Sequence, residues 1–139
     1  FTFSTKTIES TFPPYNQVIP ASTSHSVAVS RITFVDVLKA VSVASSERTG
    51  GVKIALASGT LRVTAESAET GSAADEIPVD FSGAECAIGV NAKYVLQALD
   101  ALDMDEVLFG VSGELDPMTI RPAGESAAEF VNCTMPVRL

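Results

Sequence analysis

One histidine, two cysteines and nine basic residues against seventeen acidic ones set the first limits on what this 139-residue chain can do. General acid–base and nucleophilic catalysis needs a titrating base held beside a nucleophile. His25, the only histidine, sits in a Ser-His-Ser strand start with no acid placed in sequence to orient it, and reads as an edge-strand residue. A hydrolase built on His25 and a neighbouring serine therefore has nothing else in the chain behind it. Cys86 and Cys133 lie far apart with no nearby second thiol, which excludes paired metal-ligand spacing and a disulfide framework and leaves two buried free thiols. No glycine-rich loop follows a strand and opens a helix, so dinucleotide and P-loop binding have no support. The run Asp103-Met104-Asp105-Glu106 lacks the glycine and the spacing of a calcium loop and reads as a solvated helix exit. The expectation is a non-catalytic chain with no cofactor and no metal.

Long hydrophobic runs are missing as well. No stretch of about 18 apolar residues exists, and the start carries no basic patch followed by an apolar stretch, so neither a membrane span nor a signal peptide is expected and the reading is of a cytoplasmic chain. A formal net charge of −8 and a pI near 4.5 argue against ordinary electrostatic capture of nucleic acid, which needs a basic face to neutralise phosphates. Glu66, Glu69, Asp75 and Glu76 cluster in one segment and Asp103, Asp105 and Glu106 in another, read as solvated loops. With 46% hydrophobic residues the chain can bury one core, hence one domain. It opens directly on the alternating Phe1-Thr2-Phe3-Ser4-Thr5-Lys6-Thr7-Ile8, as a piece of a longer protein whose first strand lacks its sheet.

What the chain does contain is a repeat. Residues 25–31 alternate Val27, Val29 and Arg31 against Ser26, Ala28 and Ser30, as a strand does. Thr33-Phe34-Val35-Asp36 has the form of a capping box, and Phe34, Val37, Leu38, Val41 and Ala44 recur at helical spacing until Gly50-Gly51. Residues 52–57 and 61–66 are then two strands joined at Ser58-Gly59-Thr60, and 77–81 a third. The order recurs: a strand over 85–90, Asn91 as helix cap, a stripe of Val95, Ala98, Leu99 and Leu102, then strands at 107–111, 118–121 and 128–134. Strand, helix, three strands thus occurs twice, roughly 55–60 residues apart. That pattern predicts a pseudo-two-fold α+β domain with both helices on one face of antiparallel sheet.

With catalysis unsupported, surfaces for partners remain. On a helical wheel Val43 falls nearly opposite Phe34, among Asp36, Lys39 and Glu47, where an apolar residue can face another subunit. The chain ends on Met135, Pro136, Val137, Arg138 and Leu139 rather than on a polar tail. With Pro13, Val18, Leu115, Pro117 and Tyr94 outside the core stripes, this end could line a shallow apolar groove with a polar rim, the usual form of a short-peptide site.

Several separated segments resemble one family in the right order. Phe12-Pro13-Pro14-Tyr15-Asn16-Gln17-Val18-Ile19-Pro20 is similar to the linker into the third domain of bacterial sliding clamps, the beta subunits of DNA polymerase III, with proline at position 14 where an aspartate is usual. Arg62-Val63-Thr64-Ala65, Phe81-Ser82-Gly83-Ala84-Glu85, Ile88-Gly89-Val90-Asn91-Ala92-Lys93-Tyr94-Val95-Leu96, Ala98-Leu99 and the Met135–Leu139 ending also match. The resemblance spans nearly the whole chain. It implies a DNA clamp fold, with residues 1–11 as the last strand of a preceding domain and its linker, and 12–139 as the C-terminal clamp domain.

Clamps of this kind are rings of two protomers that encircle duplex DNA, which resolves the charge problem because a ring holds DNA topologically, without sequence-specific contacts. In such clamps the C-terminal domain docks short linear motifs of polymerases, the clamp loader and repair proteins, and the resemblance implies the same here. The positions carried over for that groove are Pro13, Gln17, Val18, Asn91, Tyr94, Leu115, Pro117, Met135, Pro136, Val137, Arg138 and Leu139. Thr49 stands where some relatives carry an aromatic, and the slightly longer segment before Met135 leaves Cys133 and Thr134 at the margin of the groove. Lys39, Lys93, Arg31 and Arg48 are the candidates to face DNA, although Asp36 and Asp100 share those faces. Val43 and Ala44 match the helix positions that close the ring as a homodimer, with Glu69, Asp75 and Glu76 as partners for basic residues across the joint. A structural ring segment with a degenerate groove is the alternative.

Overall fold

Ser30 ends a strand and begins a helix in a single residue. Its backbone is extended, and its Oγ accepts from the Thr33 amide at 3.5 Å, so β1 (His25–Ser30) runs straight into α1 (Arg31–Ser42). This replaces the capping box expected at Thr33, and it moves Arg31 from the strand into the first helical turn. A computed structural model describes residues 1–12, 14–46, 50–124 and 130–138 of the chain. Pro13, Arg48, Thr49 and Leu139 lie outside the described residues, as does the start of the strand expected over 128–134.

After α1 come β2 (Gly51–Ala57), β3 (Thr60–Ser67) and β4 (Gly71–Pro78), then β5 (Cys86–Asn91), α2 (Ala92–Asp100), β6 (Glu106–Val111), β7 (Met118–Pro122) and β8 (Asn132–Thr134). The duplicated order of strand, helix and three strands is therefore present. Three boundaries differ from the sequence reading, one being that β8 begins only at Asn132, after Phe130 and Val131 of the strand expected over 128–134. The helix ends at Ser42, well before Gly50-Gly51, and Gly51 already belongs to β2. The strand expected over 77–81 is an eight-residue strand from Gly71, in which Ile77 alone is buried. Asp75 and Glu76 are thus strand residues, not loop residues. Apolar alternation could not reveal β4 because it is an edge strand that pairs only with β3.

The strands form two antiparallel four-stranded sheets, in the orders β4-β3-β2-β5 and β1-β6-β7-β8. The first strand of each repeat thus completes the sheet of the other. β1 pairs with β6, His25 opposite Val111, while β5 pairs with β2, Asn91 opposite Gly51. Inward residues of both sheets and the apolar stripes of both helices make one core, with Phe34, Leu38, Ile54, Leu61, Ile88, Leu99, Phe109 and Ile120 fully buried. Phe34 meets Phe109 edge to face at 6.0 Å, joining α1 to the second sheet. Gly110 is required where β6 passes β7 and the 21–24 loop, since a Cβ there would lie 2.5 Å from Thr119 Oγ1 and 2.7 Å from Thr23 Oγ1. Residues 1–12 join no sheet and leave Phe1, Phe3, Ile8 and Phe12 exposed. No helix among the described residues is long and apolar enough to cross a membrane.

Candidate functional site

The end of the chain leaves its own sheet and crosses to the other. β8 is fixed by pairing Thr134 with Met118 of β7 and by the buried Thr134 hydroxyl, which donates to Asn132 Oδ1 at 2.9 Å. Pro136 has no amide to donate and cannot prolong the ladder. One residue later the Val137 amide donates to the Gly89 carbonyl on β5 at 2.8 Å. Residues 135–138 therefore form a ridge bridging the two sheets, with a hollow on either side.

The first hollow, about 590 Å³, is walled by Tyr94, Gln97, Ala98 and Ala101 of α2 and its exit, by Phe130, Asn132, Cys133 and Thr134, and by Met135, Pro136 and Val137. The second, about 510 Å³, is walled by Lys53 of β2, Ala87, Ile88 and Gly89 of β5, Glu114 and Leu115 of the β6–β7 connection, and Pro136, Val137 and Arg138. Pro136 and Val137 serve both. Tyr94 is 58% exposed and Leu115 71%, so each hollow has a large exposed side chain in its wall.

Local sequence explains how these side chains are held. Asn91 caps α2, its Oδ1 accepting the Lys93 amide at 2.9 Å, which fixes the turn that carries Tyr94. A bond from the Asp116 amide to the Gly113 carbonyl at 3.3 Å closes the turn presenting Leu115. A single 3₁₀ turn over Tyr15–Gln17 leaves Gln17 exposed, and the Cys133 thiol donates to the carbonyl of Val18 at 3.8 Å. Cys133 and Cys86 are free thiols but half-buried rather than buried as expected, and this partial burial raises them above the ordinary thiol range.

Of the groove positions carried over from the family, the structure brings Tyr94, Leu115, Met135, Pro136, Val137 and Arg138 to the two hollows, with Val18 beside Cys133. Gln17, Asn91 and Pro117 line neither: Gln17 is exposed on its 3₁₀ turn, Asn91 acts as the cap, and Pro117 sits half-buried at the entry to β7. Cys133 and Thr134, left marginal on sequence, are both wall residues. Lys53, Ala87, Gly89, Glu114, Gln97, Phe130 and Asn132 were not expected as wall residues. No local pattern marks them, because only the pairing of β2 with β5 and the crossing of the terminus assemble them.

On the helices, Lys39 and Lys93 are exposed, as are Asp36 and Asp100. Arg31 differs from its expected place on an open face. Half-buried, it donates from Nε to the Met104 carbonyl at 2.8 Å and so braces the connection between α2 and β6. Val43, 79% exposed, is the apolar outlier the helical wheel indicated, whereas Ala44 is in the core and offers little surface. Glu69, Asp75 and Glu76 are exposed on and beside the β4 edge, where Glu76 meets Arg62 at 3.5 Å. His25 packs edge to face on Phe81 at 5.5 Å, and among the described residues it has no hydrogen-bonded acid. Nor do three His, Cys, Asp or Glu residues converge as a metal site among the described residues.

Comparison with known proteins agrees with this architecture. Residues 16–138 match the family described as DNA polymerase III beta subunit, C-terminal domain. The chain is 30% identical over its whole length to a beta sliding clamp of Pseudomonas putida and 29% identical to that of Escherichia coli, spanning 37% of each. Among solved structures, the DNA polymerase III subunit beta of Pseudomonas aeruginosa superposes with a TM-score of 0.87 at 25% identity, covering 95% of this chain and 36% of that one. A Bartonella birtlesii sliding clamp bound to griselimycin superposes with a TM-score of 0.87 at 31% identity, covering 95% of this chain and 35% of that one. A match over nearly the whole chain, in sequence and in fold, assigns it: the chain belongs to the family of the C-terminal domain of the DNA polymerase III beta subunit.

Proposed function

We propose that the chain serves as the C-terminal domain of a ring-shaped sliding clamp, a non-catalytic cytoplasmic processivity factor, and docks short linear motifs of polymerases, clamp loader and repair proteins at its terminus. The observation that carries this is the ridge at residues 135–138, which gives two adjacent hollows a common apolar wall. A motif with two apolar side chains a few residues apart can seat one in each and cross Pro136 and Val137 between them. Tyr94 and Arg138 stand at the edges as hydrogen-bond donors, and Val18, whose carbonyl meets the Cys133 thiol, extends the surface there. A related clamp has been solved with griselimycin bound, which favours ligand binding as a property of the family.

The remaining surfaces fit the ring. Lys39 and Lys93, on the exposed sides of the two helices, face the duplex, with aspartates among them keeping the contact weak and mobile. Val43 and the unpaired edge of β4, with Glu69, Asp75 and Glu76, meet the neighbouring protomer, and residues 1–11 are the last strand and linker of the domain before. Fluorescence anisotropy of a labelled Gln-Leu-x-Leu-Phe peptide tests the groove. Saturable binding at micromolar levels is expected, and its absence with the fold intact would favour a structural ring segment with a degenerate groove.

A further inference from the structure

The hollow on the β5 side holds features that two apolar anchors do not use. Lys53 and Arg138 both line it, and among the described residues neither forms an ion pair, although acidic residues outnumber basic ones by seventeen to nine. Glu114 lies on the same wall, so the described side chains lining the hollow sum to one positive charge. Lys53 stands opposite Gly89 in the register of β2 and β5, and the absent side chain at Gly89 leaves the lysine open to the β5 edge.

That edge is only partly used. Gly89 turns its carbonyl away from β2 to accept the Val137 amide. In an antiparallel pair, residues two apart point their backbone groups to the same side, so Ala87 presents its N–H and C=O at this edge too. Among the described residues nothing is bonded to Ala87 there. An open strand edge beside a cationic hollow suits an extended segment that adds to the sheet through its backbone and places one acidic side chain between the cations.

We infer that this hollow receives an acidic residue flanking the docking motif, its backbone added to the β5 edge at Ala87 and its carboxylate set between Lys53 and Arg138. The inference rests on the peptide-docking reading above and names the chemistry of the ligand's flank. One net positive charge calls for a single acidic side chain, since a run of them would meet Glu114.

The test uses the Gln-Leu-x-Leu-Phe peptide extended at either end by Ser-Asp-Ser or by Ser-Asn-Ser. At low salt the aspartate flank should bind about fivefold more tightly than the asparagine flank at one of the two ends. Lys53→Gln should erase that ratio, each flank being referred to the unextended peptide's affinity for the same variant. N-methylation of the flank amides should weaken both extended peptides. Equal affinities for the two flanks at both ends, with the unextended peptide binding normally, would overturn the inference and leave the docking reading intact. A second measurement is independent of the motif: an acidic segment without it, titrated while the amide resonances of Ala87 and Gly89 are followed. Shifts that Lys53→Gln removes sustain the β5 edge as the site of the acidic segment, unmoved resonances sink the inference, and failure of the motif peptide alone counts against the docking reading.

Discussion

Ending the chain after Pro136 takes Val137 out of the wall that both hollows share, and Arg138 out of one of them, while leaving the core untouched. The fold loses the hydrogen bond from the Val137 amide to Gly89, about 1 kcal/mol. It also loses the burial of the Val137 side chain, which is 36% exposed, a further 1–2 kcal/mol or so. Against the stability of roughly 5–15 kcal/mol usual for a domain, the truncated chain stays folded, with its melting temperature lowered by roughly 10 °C. The ligand loses more, because an anchor on either side of the ridge packs against the same residue. A motif peptide should therefore bind about 10- to 100-fold more weakly. Anisotropy titrations well below the lowered melting point, with circular-dichroism melts of both chains alongside, separate the two effects. Unchanged peptide affinity in a truncated chain that melts cooperatively would refute the ridge as the working element.

Other perturbations probe the scaffold. Ser30→Ala should cost about 1 kcal/mol in urea denaturation and Asp36→Ala under about 0.5, because Ser30 is the cap and Asp36 lies exposed beyond it. Gly110→Ala should destabilise by roughly 1–3 kcal/mol, since its methyl would press on Thr119 and Thr23, and a variant as stable as the parent would contradict that packing. Burial raises both thiols, so alkylation at pH 8 should be slower in the folded chain than in urea, the difference closing as pH climbs past the folded values. The same shift favours the protonated, folded form below the unfolded thiol pKa and removes that contribution at high pH, so alkaline melts should show declining stability.

Much of the architecture was legible because it rests on local periodicity. The stripes through Phe34 and Leu38 and through Val95 and Leu99 name two helices, and Ser58-Gly59 names a hairpin that the structure closes between Ala57 and Thr60. Reading failed where burial is one-sided or absent: β4 keeps one buried residue, and its charges look like a loop. The cap was misplaced by three residues because Ser30 serves as strand end and helix start together, which no alternation rule anticipates. In the site, Tyr94, Leu115 and the terminus stood out as apolar residues outside the core stripes. Lys53 and Gly89 did not, since a lysine on a strand and a glycine in a strand acquire meaning only from a neighbour far along the chain.

The exchange of first strands between the two repeats has a consequence for how the molecule folds. His25 pairs with Val111 across most of the chain, and neither repeat can complete a four-stranded sheet from its own residues. Each half is a three-stranded fragment with an unfilled edge until the other arrives. Closure of these long-range pairings is entropically slow and places the chain with millisecond-to-second folders rather than with helical bundles. It also makes unfolding collective, because loosening either repeat strips a strand from the sheet of the other.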